Sequence, residues 1–78
     1  MADPSMALPA PSPEDGEDVV LALETASTLW KRGDTQDAIR WLRRAAESAE
    51  EAGDDMRALA LARTAADLSA SPDRRAVR

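Results

Sequence analysis

Apolar residues recur every three or four positions along three stretches of the chain, the spacing that places them on one face of an α-helix. The apolar positions of the first stretch are Val19, Ala22, Ala26 and Leu29, and those of the second are Ala38, Leu42, Ala45, Ala49 and Ala52. A third stretch follows to residue 70. The pattern predicts an all-α fold of three antiparallel helices over about residues 17–32, 35–52 and 55–70.

Glycine and aspartate mark the junctions between these helices. Gly33 and Gly53 each follow a predicted helix, and glycine adopts without strain the positive φ that ends many helices. Aspartate is a good N-cap, so Asp34 is expected to cap the second helix and Asp54 or Asp55 the third.

The third helix has an unusually wide apolar surface. One flank carries Leu59, Ala62, Ala66 and Ala70, and the other carries Ala58, Leu61, Ala65 and Leu68. This surface is wider than one neighbouring helix covers, and small domains without disulfides or metals have little stability to spare. We therefore expect the second flank to pack against another chain. A symmetric homodimer is favoured, and a larger partner protein is the alternative.

The composition excludes several kinds of chemistry. The 78 residues include no His and no Cys, so the commonest general base, the commonest zinc ligand and any disulfide are missing. A chain of this size also encloses a substrate pocket with difficulty. We expect no enzymatic activity, cofactor, metal or small-molecule substrate. The net charge of −5 disfavours nucleic acid, whose phosphates require a basic surface.

Composition changes at both ends of the chain. Residues 1–16 are acidic and rich in proline, and we expect a disordered arm there. Residues 17–70 would form the helical domain and residues 71–78 a flexible basic tail. The N-terminus lacks the features of a signal peptide, and no apolar run approaches the roughly 20 residues that span a bilayer. These features predict a cytoplasmic protein without membrane contact, and the Ala- and Arg-rich composition suggests a bacterial source.

The stretch from Leu29 to Ser48, LWKRGDTQDAIRWLRRAAES, resembles the middle of a tetratricopeptide repeat, a helix–turn–helix unit of 34 residues. The family's small, large, turn, small, large and small positions are filled here by Ala26, Leu29, Gly33, Ala38, Leu42 and Ala45. Ala26 and Ala60 are 34 positions apart, so the resemblance implies that the third helix begins a second repeat. It covers about residues 19–70, one and a half degenerate repeats, and Ala22 stands where the family often has Trp.

The resemblance also implies a binding groove. In the family the first helix of each repeat lines a concave surface, which would here be formed by Val20, Leu23, Ser27, Trp30 and Lys31. An apolar groove with one cation at its rim suits an amphipathic helix or an extended apolar segment. The alternative is that the third helix folds back over Leu23 and Trp30, which would then belong to the core.

Trp41 and the neighbouring arginines form a second candidate site. Trp41 lies at the edge of the apolar stripe of the second helix, where it would either pack in the core or serve a partner interface. Arg40, Arg43 and Arg44 could bind an acidic partner or phosphate. Glutamates such as Glu47 lie along the same surface and favour a solvated face of mixed charge instead.

These features predict a small non-enzymatic protein–protein interaction module, an adaptor or scaffold. It would bind a partner helix or associate with itself through apolar helix faces. The alternative is a small regulatory protein, antitoxin-like or transcription-associated, whose terminal segments become ordered on a target.

Overall fold

The computed structural model describes residues 8–70, which contain three α-helices. Helix α1 spans Glu17–Lys31, α2 spans Thr35–Glu51 and α3 spans Asp55–Ala70. No strand occurs within the described range. The predicted all-α fold is confirmed, and each predicted helix end lies within one residue of the observed one.

The two turns between the helices are closed in the same way. After α1, Gly33 donates its backbone N–H to the Trp30 carbonyl (3.1 Å) and Asp34 donates to the Leu29 carbonyl (2.9 Å). The same pair of hydrogen bonds recurs around Gly53, at 3.0 and 2.9 Å. The two glycines have φ values of +90° and +85°, which other residues adopt only with strain. These turns satisfy the last carbonyls of each helix and reverse the chain.

Aspartate occupies the predicted position before both α2 and α3, but only one of the two side chains makes a capping bond. Asp34 makes no side-chain hydrogen bond at the start of α2. Asp54 accepts a hydrogen bond from the backbone N–H of Arg57 (3.2 Å). The N-cap of α3 is therefore Asp54, one of the two predicted residues.

Helix α2 lies in the middle and packs against α1 on one side and α3 on the other. Its buried residues are Ala38, Ile39, Leu42, Ala45, Ala46 and Ala49. Small residues at these positions allow neighbouring helices to approach closely. The largest fully buried side chains are Leu23 of α1, Leu42 of α2 and Leu61 of α3, so each helix contributes one leucine to the centre of the core.

The two flanks of α3 have opposite environments, and the predicted association face was wrong. Leu61, Ala65 and Leu68 are buried in the core, and Ala58 packs against it. The other flank, Leu59, Ala62, Ala66 and Ala70, is exposed; we call it the outer flank of α3. The reason is area: the flank with two leucines buries more apolar surface against α2 than a flank with one leucine and three alanines.

Residues 8–16, part of the predicted disordered arm, contact the helices through Leu8, Ala10 and Asp15. We call these residues the N-terminal strap. Leu8 packs against the core, and a turn is closed where Asp15 donates its backbone N–H to the Ser12 carbonyl (2.9 Å). The predictions for residues 1–7 and for the basic tail at 71–78 fall outside the described residues.

One ion pair attaches the strap to α3. Arg57 donates from Nε and from an Nη to the two carboxylate oxygens of Asp15, each at 3.0 Å, and donates also to the Ala10 carbonyl (3.0 Å). The side chains of Asp15 and Arg57 are only 2% and 22% exposed. Burial raises the pKa of Asp15, but hydrogen bonds from Arg57 and the Ser12 backbone N–H, together with the Arg57 charge, outweigh it and lower the pKa below 3.8.

This lowered pKa predicts an acid-sensitive contribution to stability. Because the folded pKa of Asp15 lies below the unfolded value, the ion pair stabilises the fold fully above the unfolded pKa and ceases to do so as pH falls through the folded pKa. We expect Asp15→Asn to cost about 1–3 kcal/mol at pH 7. Urea unfolding at pH 7 and pH 3 should show that the variant loses less stability on acidification than the wild type. The exposed Glu50→Gln is the control, and an equal acid loss in wild type and Asp15→Asn would contradict the role of the pair.

Truncating a leucine should lower the free energy of unfolding much more on the buried flank of α3 than on the outer flank. Leu61→Ala removes a buried side chain and should lower the free energy of unfolding by about 2–5 kcal/mol. Leu59→Ala removes a side chain that is 55% exposed and should change it by no more than about 0.5 kcal/mol in dilute solution. Chemical denaturation of both variants measures the difference, and a larger loss for Leu59→Ala would show that the flanks have been assigned the wrong way round.

Candidate protein-interaction surfaces

The central residue of the groove predicted on α1, Leu23, is not on the surface. Leu23 is 2% exposed and belongs to the core, so its predicted role in partner binding was wrong. The helix that packs extensively against α1 is α2, so the alternative in which α3 folds over Leu23 and Trp30 is not confirmed. Val20, Ser27 and Trp30 are half-buried, and Trp30 packs against the core. Lys31 is exposed at the end of the helix. These four residues flank a covered leucine and do not make a continuous apolar groove.

Trp41 has one side against the core and another open to solvent. The ring is half-buried and packs against the core cluster. The guanidinium carbon of Arg44 lies 5.8 Å from the ring centroid, which is a cation–π distance. Both of the uses predicted for Trp41, packing and partner contact, are therefore compatible with its position.

Two open grooves meet at Trp41. The first, about 330 Å³, lies between α1 and α2 and is lined by Asp18, Leu21, Ala22, Trp41, Arg44, Glu47, Ser48 and Glu51. The second, about 360 Å³, lies along α2 and is lined by Arg40, Trp41, Arg43, Arg44 and Glu47. The first groove has three acids and one arginine, whereas the second has three arginines and one acid. Their charges are therefore opposite in sign.

The arginines of α2 differ in how they are held. An Nη of Arg43 donates to the Ser69 hydroxyl of α3 (3.2 Å), which links the two helices. Arg44 lies over Trp41. Within residues 8–70, neither Arg40 nor Arg44 forms an ion pair. Two guanidinium groups thus remain available to a ligand beside the indole ring.

The outer flank of α3 belongs to a surface of exposed apolar residues. Three large apolar side chains are exposed in the described chain, namely Met56 at 78%, Leu21 at 62% and Leu59 at 55%. Met56 and Leu59 lie on the exposed side of α3, and the alanines of the outer flank continue this surface towards the end of the helix. Adjacent exposed apolar residues are characteristic of surfaces that contact other molecules.

The sequence prediction did not include Arg57 or Leu21, although a feature of the sequence distinguishes each of them. A cation in the first turn of a helix opposes the helix dipole, so Arg57 in the first turn of α3 indicates a specific acidic partner. Leu21 is the isolated apolar residue on the polar side of α1, next to Glu17 and Glu24. A single exposed leucine is common on protein surfaces, so only its place beside the groove that Trp41 lines makes it a candidate.

Comparison with protein-family models, with curated proteins and with solved structures finds no match to this chain. Within residues 8–70, none of the helices has the length and apolar character needed to cross a membrane.

Proposed function

We propose that this chain is a non-enzymatic protein-association module, and that the outer flank of α3 packs against the same flank of a second copy. The observation that carries the proposal is the exposure of Met56 and Leu59, at 78% and 55%. The opposite side of the same helix is already covered by α2. A second helix on the outer flank would remove both large side chains from water.

The order of residues on this flank suits an antiparallel pair. Leu59 of this flank and the neighbouring exposed Met56 lie near the start of α3, and the alanines of the flank lie towards the end. In an antiparallel arrangement Leu59 of one copy would lie against Ala66 of the other, and Met56 would lie near Ala70. Large residues then meet small ones at both ends, which is the self-complementarity that a twofold interface requires. Arg63 lies within this surface, between Leu59 and Ala66, so the two copies of Arg63 would lie near the twofold axis. Their long side chains would have to extend outwards to solvent.

The internal spacing of 34 residues supports the same proposal. If α3 corresponds to α1, as the resemblance to tetratricopeptide repeats implies, then Met56 and Ala60 correspond to Ala22 and Ala26. Both α1 residues are buried, whereas both α3 residues are exposed. On this correspondence, α3 presents a helix-packing surface that no helix within residues 8–70 covers.

Sedimentation equilibrium with a charge placed on the flank tests the proposal. We expect the wild type to show a monomer–dimer equilibrium at micromolar concentration, and Leu59→Glu to be monomeric, because the interface cannot solvate a buried carboxylate. Leu21→Glu on α1, which alters a similarly exposed leucine, is the matched control and should still dimerise. Circular dichroism in dilute solution should show the same helix content for all three chains.

Two results would contradict the proposal. One is a wild-type chain that stays monomeric into the high micromolar range. The other is equal loss of dimer in Leu59→Glu and Leu21→Glu, because that pattern would place the contact away from the outer flank of α3.

A further inference from the structure

We propose that the surface around Trp41 is a second binding site, which takes an extended protein segment with an apolar side chain between a basic and an acidic residue. The site lies on α1 and α2, and its residues are separate from the outer flank of α3. The inference therefore goes beyond the proposed self-association and does not depend on it. Its residues are Leu21 and Trp41 for the apolar anchor, Asp18 and Glu51 on one side, and Arg40 and Arg44 on the other.

The groove between α1 and α2 has a small apolar patch within a mostly polar lining. Leu21 and Trp41 line it together with Ala22, whose small side chain is buried. The groove has a volume of about 330 Å³, which leaves room for an apolar side chain. Burial of that side chain against the half-buried indole ring and the exposed leucine would favour binding, since apolar burial contributes about 25 cal/mol per Å².

The charged residues of the site would set the orientation in which a peptide segment binds. Asp18 and Glu51 line the first groove, and Arg40 lines the second; Trp41, Arg44 and Glu47 are common to both. A bound segment that crosses Trp41 would pass from an acidic environment to a basic one. Its basic residue would face Asp18 and Glu51, and its acidic residue would face Arg40 and Arg44.

Within residues 8–70, none of the charged groups of this site takes part in an ion pair. The ion pairs within residues 8–70 join Arg32 to Asp34 and Arg57 to Asp15, and neither pair includes a group of this site. The guanidinium carbon of Arg44 lies over the ring, 5.8 Å from its centroid, and the guanidinium N–H groups can donate hydrogen bonds to a carboxylate. An acidic residue of the ligand would thus be bound beside an aromatic surface.

The alternation of charge favours a protein segment over other ligands. A nucleic acid presents phosphate at every step and would meet Asp18, Glu47 and Glu51. A uniformly acidic or basic peptide would be attracted to one groove and repelled by the other. A segment with both charges avoids repulsion on either side, so electrostatic complementarity decides the choice.

Peptide binding to the folded chain tests the inference. The probe is a fluorescein-labelled peptide, Lys-Lys-Gly-Leu-Gly-Glu-Glu, and the comparison peptides carry glutamate at all four charged positions or lysine at all four. Fluorescence anisotropy should show saturable binding of the mixed peptide and at least about fivefold weaker binding of both comparison peptides, which corresponds to about 1 kcal/mol of charge discrimination. Equal binding of the three peptides, or no saturable binding, would overturn the proposal.

Reversing the charge of Arg40 and Arg44 tests whether the peptide binds at the surface around Trp41. Arg40→Glu with Arg44→Glu should weaken binding of the mixed peptide and strengthen binding of the all-lysine peptide, because both grooves are then acidic. Arg63→Glu, an exposed arginine on α3, is the matched control and should leave the preference unchanged. A double variant that keeps the wild-type preference would show that the peptide binds elsewhere.

Two further measurements separate this site from self-association. In a Trp30→Phe chain, Trp41 is the remaining one of the two tryptophans, and the mixed peptide should change its fluorescence with the same midpoint as the anisotropy. In the Leu59→Glu chain, binding should be unchanged even if that chain is monomeric. Loss of peptide binding in Leu59→Glu, or no response from Trp41, would contradict a site formed by α1 and α2 of a single copy.

Discussion

The packing of α2 between α1 and α3 is the constraint on which the structure depends. Its inward residues are mostly alanine, and they are buried. Alanine allows close approach of helices but contributes little buried area itself. The stability of so small a core therefore rests on a few leucines, among which Leu23, Leu42 and Leu61 are fully enclosed. One central helix can cover one face of each neighbour, so the far faces of α1 and α3 stay open.

This arrangement explains why α3 has two apolar flanks and uses only one of them within a single copy. The flank with Leu61 and Leu68 completes the core, while Leu59 and the alanines beside it face solvent. The N-terminal strap does not cover the exposed flank. It is attached to the first turn of α3 through Arg57, and its Leu8 packs against the core cluster. The packing of Leu61 and Leu68 in the core and the ion pair between Arg57 and Asp15 thus hold α3 in place. Neither contact covers its outer flank.

The helices were predictable from sequence because their determinants are local. Gly33 and Gly53 specify the turns, and the apolar spacing specifies most of the residues of α1 and α2 that face inward. Ala52 is an exception, since it follows the end of α2 and is exposed. The buried flank of α3 was not predictable in the same way, because both flanks are apolar and the choice depends on which one fits α2. The ion pair between Asp15 and Arg57 spans 42 positions, and no local pattern predicts such a contact. The burial of Leu23 likewise depends on packing between helices.

Cysteine labelling along α3 tests most directly whether its two flanks differ as described. The chain has no native cysteine, so a single substitution introduces the one reactive thiol. At high dilution, Ala62→Cys and Ala66→Cys should react rapidly with a maleimide, while Ala65→Cys should be protected, and raising the protein concentration should slow the first two alone. Rapid labelling of Ala65→Cys together with protection of Ala66→Cys in dilute solution would contradict the account, as would labelling rates that do not change with concentration.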